Sequence, residues 1–248
     1  MKKLFFLFVL FVISSHAQNE DLFESGNTAY NGGDYETAVS IYEDIIKSGE
    51  TSVAVYFNLA NAYYKLNRVA PSIYYYEKAL QLEPNDPDVK NNLTLARKLV
   101  IDDIEEKEIS GLSRLWKNMV MVLGYNQWGW MAIIFSFVFA ISFAIYYYSN
   151  RSLLKRIFFS LSLFSVFLVL VFLVFAFQQK GEYSDNTYAI IFAAETAVRA
   201  EPSLRSTESF YLHEGTKIEI LDTYQDWIKF ELVNGLQGWI DKNDLKML

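Results

Sequence analysis

Four kinds of hydrophobic patterning follow one another along the chain, and each predicts a different element. Leu4 to Ile13 is a short apolar run behind Met1-Lys2-Lys3. Between residues 19 and 108, apolar residues recur at three- and four-residue intervals, the period of amphipathic helices packed against one another. Asn118 to Asn150 and Ile157 to Gln179 then carry no charge at all, with Arg151, Lys155 and Arg156 in the gap between them. From Tyr188 onward the period falls to two: Thr216 to Leu221 and Trp227 to Val233 alternate, and Asn234-Gly235 is a strong hairpin signal. The expected architecture is multidomain: an all-α array, two long apolar helices and a small all-β barrel.

The two uncharged runs are long enough to span a bilayer, since about 20 apolar residues cross about 30 Å of hydrocarbon. Transmembrane helices are expected over 128–148 and 157–177, joined by a loop over 149–156. Ahead of them Leu112, Leu115, Trp116, Met119, Val120 and Leu123 repeat at helical spacing around Arg114 and Lys117. That pattern predicts an interfacial amphipathic helix over 110–127, with Trp128 and Trp130 at headgroup depth. The N-terminal run has the organisation of a signal peptide, 1–17, with Ser15-His16-Ala17 as the cleavage pattern. Export followed by a hairpin places both polar parts outside the cytoplasm, and the cations of the loop agree with the positive-inside rule. The expected location is the bacterial inner (cytoplasmic) membrane, with both folded parts on the periplasmic side.

A shift of 34 residues superposes Gly26 on Ala60, Asn27 on Asn61, Tyr30 on Tyr64, Ala38 on Ser72, Tyr42 on Tyr76 and Glu43 on Glu77. That is the length of a helix–turn–helix unit. Residues 53–86, with Tyr56, Leu59, Ala60, Tyr63, Ser72, Tyr76, Ala79 and Pro84, resemble the tetratricopeptide (TPR) consensus. Residues 19–52 form a second, weaker unit that lacks the closing proline. Asn85-Asp86-Pro87 opens a capping helix over 87–108, whose strongly acidic stretch from Ile101 either extends the helix or frays into a linker. Two units and a cap make a small array, one expected to lean on the membrane or on a partner. The resemblance implies a partner-binding groove lined by the first helix of each unit: Phe23, Asn27, Tyr30, Phe57, Asn61, Tyr64, and Asn91 and Asn92 from the cap. A buried amide without a partner is unfavourable, so an asparagine recurring in register is expected to face water or a ligand. The lysines of a carboxylate clamp are replaced by Phe23 and Phe57.

The C-terminal segments Val198-Arg199-Ala200-Glu201-Pro202-Ser203, Leu212 to Thr216, Asp226-Trp227 and Gly238-Trp239 resemble, in order and spacing, the bacterial SH3 domain, here over 188–248. Tyr211, Tyr224 and Trp227 are its candidate ligand-binding aromatics. Trp239 is expected in the core, and Trp227 shares a face with Phe230 only if a bulge intervenes.

Composition then excludes chemistry. With no cysteine there is no disulfide, thiol nucleophile or lipid-anchored cysteine. The two histidines are His16, within the signal peptide, and His213, expected to be a turn or surface residue. No catalytic constellation, cofactor motif or metal-ligand spacing occurs, so a non-enzyme without cofactors is expected. Residues 19–108 carry 17 acidic and 8 basic residues and residues 185–248 carry 11 and 6, which disfavours nucleic acid. In its order of parts the whole chain resembles the BatE-like family of the bacterial aerotolerance (Bat) operon. That resemblance implies a membrane scaffold whose partners are proteins, among them von Willebrand factor A-domain membrane proteins and a MoxR-type ATPase system. The β domain's resemblance leaves peptidoglycan as another partner, in a protein that targets a hydrolase to the cell wall.

Overall fold

The computed structural model describes residues 20–105, 111–184 and 187–248; the expected signal peptide lies outside them. Helix α1 covers 20–31, and α2 (Tyr35–Lys47), α3 (Val53–Lys65), α4 (Val69–Leu82) and α5 (Pro87–Arg97) follow. Three of the four turns between these helices carry a side-chain cap. Gly33 takes a φ of +82°, and Asp34 caps α2 by accepting from the Thr37 N–H at 3.1 Å. Ser52 caps α3 through the Val55 N–H at 3.2 Å. Asp86 accepts from the N–H groups of Asp88 and Val89, with Pro87 at the first position of α5.

Small residues allow the helices to approach. Ala38, Ala60, Ala70, Ala79 and Ala96 are fully buried. A Cβ on Gly26 would lie 2.6 Å from Tyr42 Cε1, and buried Ser72 donates to the Ala60 carbonyl at 3.0 Å. Successive repeats are tied by carboxylates at equivalent positions. The Tyr63 hydroxyl donates to Glu43, and 34 residues later Arg97 pairs with Glu77 at 2.6 Å.

The cap helix stops at Arg97, short of the 87–108 expected. The chain then turns because Val100 packs on the array core, Ile104 packs on the sheet core, and Asp102 is drawn into bonds with the sheet. Tertiary contact overrides helical continuation here; residues 106–110 lie outside the described chain.

The terminal domain is an antiparallel sheet of seven strands: β1 (Thr187–Ile191), β2 (Glu195–Arg199), β3 (Glu208–His213), β4 (Lys217–Tyr224), β5 (Trp227–Glu231), β6 (Gln237–Asp241) and β7 (Leu245–Met247). Their spatial order is β3-β2-β6-β5-β4-β1-β7. Ile218, Ile228, Phe230 and Ile240 alternate into its core with Val198 and Leu212. Gly238 is required where β6 meets β2: a Cβ there would stand 2.2 Å from Val198 Cγ1.

The sheet and the helical array form one compact unit. Ile190 of β1, fully buried, belongs to the apolar cluster of Val69, Ile73, Val89 and Leu93, with Phe192 and Leu248 at its margin. Tyr74 meets the Phe192 ring edge-on at 5.7 Å. Glu77, only 7% exposed, receives a second cation, Lys217 of β4, at 2.8 Å. Burial by itself would raise the Glu77 carboxyl, but Lys217 and Arg97 outweigh it and hold the group below its ordinary value. The short array therefore leans on the protein's own C-terminal domain.

The other unit contains α6 (Gly111–Val120), α7 (Tyr125–Tyr148) and α8 (Ser152–Ser184). α7 and α8 are each long and apolar enough to cross a membrane, and most of their surface is exposed rather than buried in protein. They exceed the 128–148 and 157–177 expected, so the link between them shrinks to three residues and Lys155 and Arg156 join the first turns of α8. The amphipathic helix is shorter than 110–127. It exposes Leu112, Leu115 and Met119, and Trp116 binds Gln178 at 2.9 Å. Trp128 faces the neighbouring helix. It is buried against Phe172 and Phe175 and donates to the Val120 carbonyl at 2.9 Å, while Trp130 is exposed.

Candidate functional site

The groove residues occupy α1, α3 and α5, and the two repeats build the same arrangement twice. Asn27 Oδ1 accepts from the Tyr42 hydroxyl at 2.8 Å and from Asn58 Nδ2 at 2.9 Å. One repeat later, Asn61 Oδ1 accepts from Tyr76 at 2.5 Å and from Asn92 Nδ2 at 2.9 Å. Phe23 lies 6.0 Å from the Tyr42 ring and Phe57 6.1 Å from Tyr76. Burial pushes the Tyr42 phenol up to about 12 and raises Tyr76 as well, so both remain hydroxyl donors.

The asparagines are thus both structural and available. Their carbonyl oxygens are taken by the array, which corrects the expectation that the side chains simply face water or a ligand. Their Nδ2 groups donate to nothing among the described residues, and each amide is held with its donor end turned away from its tyrosine. Tyr30 stacks edge-on with Tyr35 at 5.3 Å, Tyr64 packs at the margin of the core, and Asn91 is exposed. Asn58, Tyr42 and Tyr76 belong to the arrangement too. The 34-residue shift that pairs Asn58 with Asn92 carried that signal.

On the sheet the three expected aromatics do not form one groove. Tyr224 and Trp227 are direct cross-strand partners, but Tyr211 stands on edge strand β3, with β2 and β6 intervening. Tyr211 is tied to Glu208 at 2.5 Å, which Arg199 also binds at 2.8 Å. Trp239 is outward, not core: Gly238 and Ile240 are buried on either side of it, and it pairs with Lys229 across β5–β6. Trp227 and Lys229 share that outer face, opposite Phe230, without an intervening bulge. Alternation around Ile240 already implied this placement. No group of acidic, histidine and cysteine side chains suited to a metal occurs among the described residues.

Residues 53–86 and 22–48 match the tetratricopeptide repeat families, and residues 194–246 match the bacterial SH3 domain. No curated protein matches the chain. Among solved structures it is similar to an NlpC/P60 family protein from Bacillus cereus ATCC 10987, at 18% identity and a TM-score of 0.23. That likeness covers 29% of this chain and 23% of the other.

Proposed function

We propose that the protein is a non-catalytic, membrane-anchored envelope scaffold that holds protein segments in its TPR groove and a second ligand on its SH3-like domain. The observation that carries this is the duplicated asparagine arrangement, which presents two oriented amide donors one repeat apart. Amide donors of this kind suit the backbone carbonyls of an extended segment. The order of parts supports membership of a Bat-type complex, with von Willebrand factor A-domain membrane proteins and a MoxR-type ATPase system as partners.

The placement of both folded parts on one side of the membrane has a physical argument behind it. The array and the sheet flank the two long helices in sequence yet share one core, so an even number of crossings must separate them. Reporter fusions after residue 107 and after Lys180 are expected to report export, and a fusion at Arg151 a cytoplasmic position. A cytoplasmic signal from the fusion after Lys180 would defeat the topology.

The groove is tested by Asn27→Asp with Asn61→Asp. Aspartate keeps the acceptor that Tyr42 and Tyr76 need and removes the outward donor, so the fold should persist. Each lost hydrogen bond contributes about 0.5–1.5 kcal/mol, and the pair should weaken partner capture by about 1–3 kcal/mol. Unchanged recovery of crosslinked membrane partners would move binding away from the groove. A second reading, cell-wall targeting through peptidoglycan peptides with the TPR array recruiting a hydrolase, is favoured by the outward pair Trp227 and Trp239. Sedimentation with purified sacculi, abolished by Trp239→Ala, would establish it over the first.

A further inference from the structure

His213 ends β3 where the segment leaving the array meets the sheet. Asp102 Oδ2 accepts from the His213 backbone N–H at 2.7 Å and from Thr216 Oγ1 at 2.6 Å, while Asp102 Oδ1 lies 2.7 Å from His213 Nδ1. On the other side, His213 Nε2 stands 3.7 Å from Glu195 Oε2, on the residue that faces it across β2–β3. Neither carboxylate has a lysine or arginine partner among the described residues. Of the other charged neighbours, Lys217 and Arg97 bind Glu77, Arg199 binds Glu208, and Glu208 holds the Tyr211 phenol, while Asp103 and Glu214 adjoin Asp102 and His213 in sequence. Among the described residues, His213 is therefore the one group between the two carboxylates that can carry a positive charge. Its side chain is 25% exposed, so protons from solvent reach it.

We propose that Asp102, His213 and Glu195 form a pH-sensitive clasp that fastens the segment leaving the repeat array to the SH3-like domain. The clasp does not depend on what either module binds. When charged, the imidazolium donates from Nδ1 to Asp102 and turns Nε2–H toward Glu195. When neutral, it can still donate to Asp102, but both charge pairings are lost and a lone pair faces the Glu195 carboxylate.

The bond to Asp102 is the main cause that holds the His213 pKa above 6.5, with Glu195 adding to it. A raised folded pKa means that the contribution is complete below about pH 6.5 and is lost as pH rises through the folded value. Asp102 sets the acid limit. Its own burial opposes ionisation, but Thr216 and His213 more than offset this and lower its pKa, so its contribution fails only in acid. The clasp is tightest between these limits and loosens on the alkaline side.

Ring NMR of the full chain in detergent micelles, with His16→Gln to leave one histidine, tests this. His213 is expected to titrate above 6.5, and Glu195→Gln, a change at an exposed carboxylate, to bring it down. Protection of the His213 and Thr216 amides, corrected for intrinsic exchange, should fall several-fold between about pH 6 and about pH 9 in the wild type. In His213→Gln it should stay level. Titration at or below 6.5, no response to Glu195→Gln, or an equal fall in His213→Gln would each overturn the clasp.

Discussion

Separate fragments 20–105 and 187–248 are expected to melt well below the temperature they reach when mixed. In the intact chain the array core includes Ile190, with Phe192 and Leu248 at its margin, and Glu77 shares its charge with Lys217. Removing the sheet exposes Val69, Ile73 and Val100 to water and leaves Glu77 with Arg97 alone among its two cations. Burying an aliphatic or aromatic side chain contributes about 1.5–3 kcal/mol, so the loss is on the order of 3–6 kcal/mol. Small domains have only about 5–15 kcal/mol in total. A loss of that size should lower the helical melt of the isolated array by more than about 10 °C. Addition of the 187–248 fragment should restore most of it in a concentration-dependent way. Two fragments with unchanged, independent melts would mean that the modules are merely tethered.

This coupling also marks the limit of what the sequence discloses. The 34-residue period, the uncharged runs and the switch to period two are local signals, and they identify the helical array, the pair of membrane-length helices and the sheet. Within the groove, the recurrence of Asn27 at Asn61 was visible, but not that the carbonyl end of each amide is consumed by a buried tyrosine. A hydroxyl fifteen residues away leaves no trace in periodicity; only the parallel recurrence of Tyr42 at Tyr76 hints at it. Contacts between array and sheet are harder still. Asp102 and His213 lie 111 positions apart, and nothing at either position distinguishes a clasp from an acidic linker and a turn histidine. Trp239 is a different case. The alternation that buried Ile240 was present, and a glycine-tryptophan motif outweighed it.

Gly215 offers the sharpest test of the junction, because the sequence supplies its own control. Gly215 and Gly235 both follow polar residues in turns of the sheet, with φ values of +89° and +90°. A non-glycine residue in that left-handed region costs about 1–2 kcal/mol at either place. Their surroundings differ completely. A Cβ on Gly235 meets nothing within 4 Å, whereas one on Gly215 would lie 3.0 Å from Val100 Cγ2, 3.0 Å from Val69 Cγ1 and 3.1 Å from Ile73 Cδ1. Those three atoms belong to the helical array and to Val100 packed on its core, so a methyl group in a turn of the sheet presses on the core of the other domain. Overpacking of this kind costs about 1–3 kcal/mol. Gly215→Ala should therefore destabilise by about 2–5 kcal/mol, and Gly235→Ala by the backbone share alone. The excess should appear in the far-ultraviolet signal of helices that the substitution does not touch in sequence. Gly215→Val should enlarge it, since a β-branched side chain adds bulk at the same three contacts and is strained further at positive φ. If both alanine variants lose the same stability, the turn does not press on Val69, Ile73 and Val100, and the shared core that joins array to sheet must be given up.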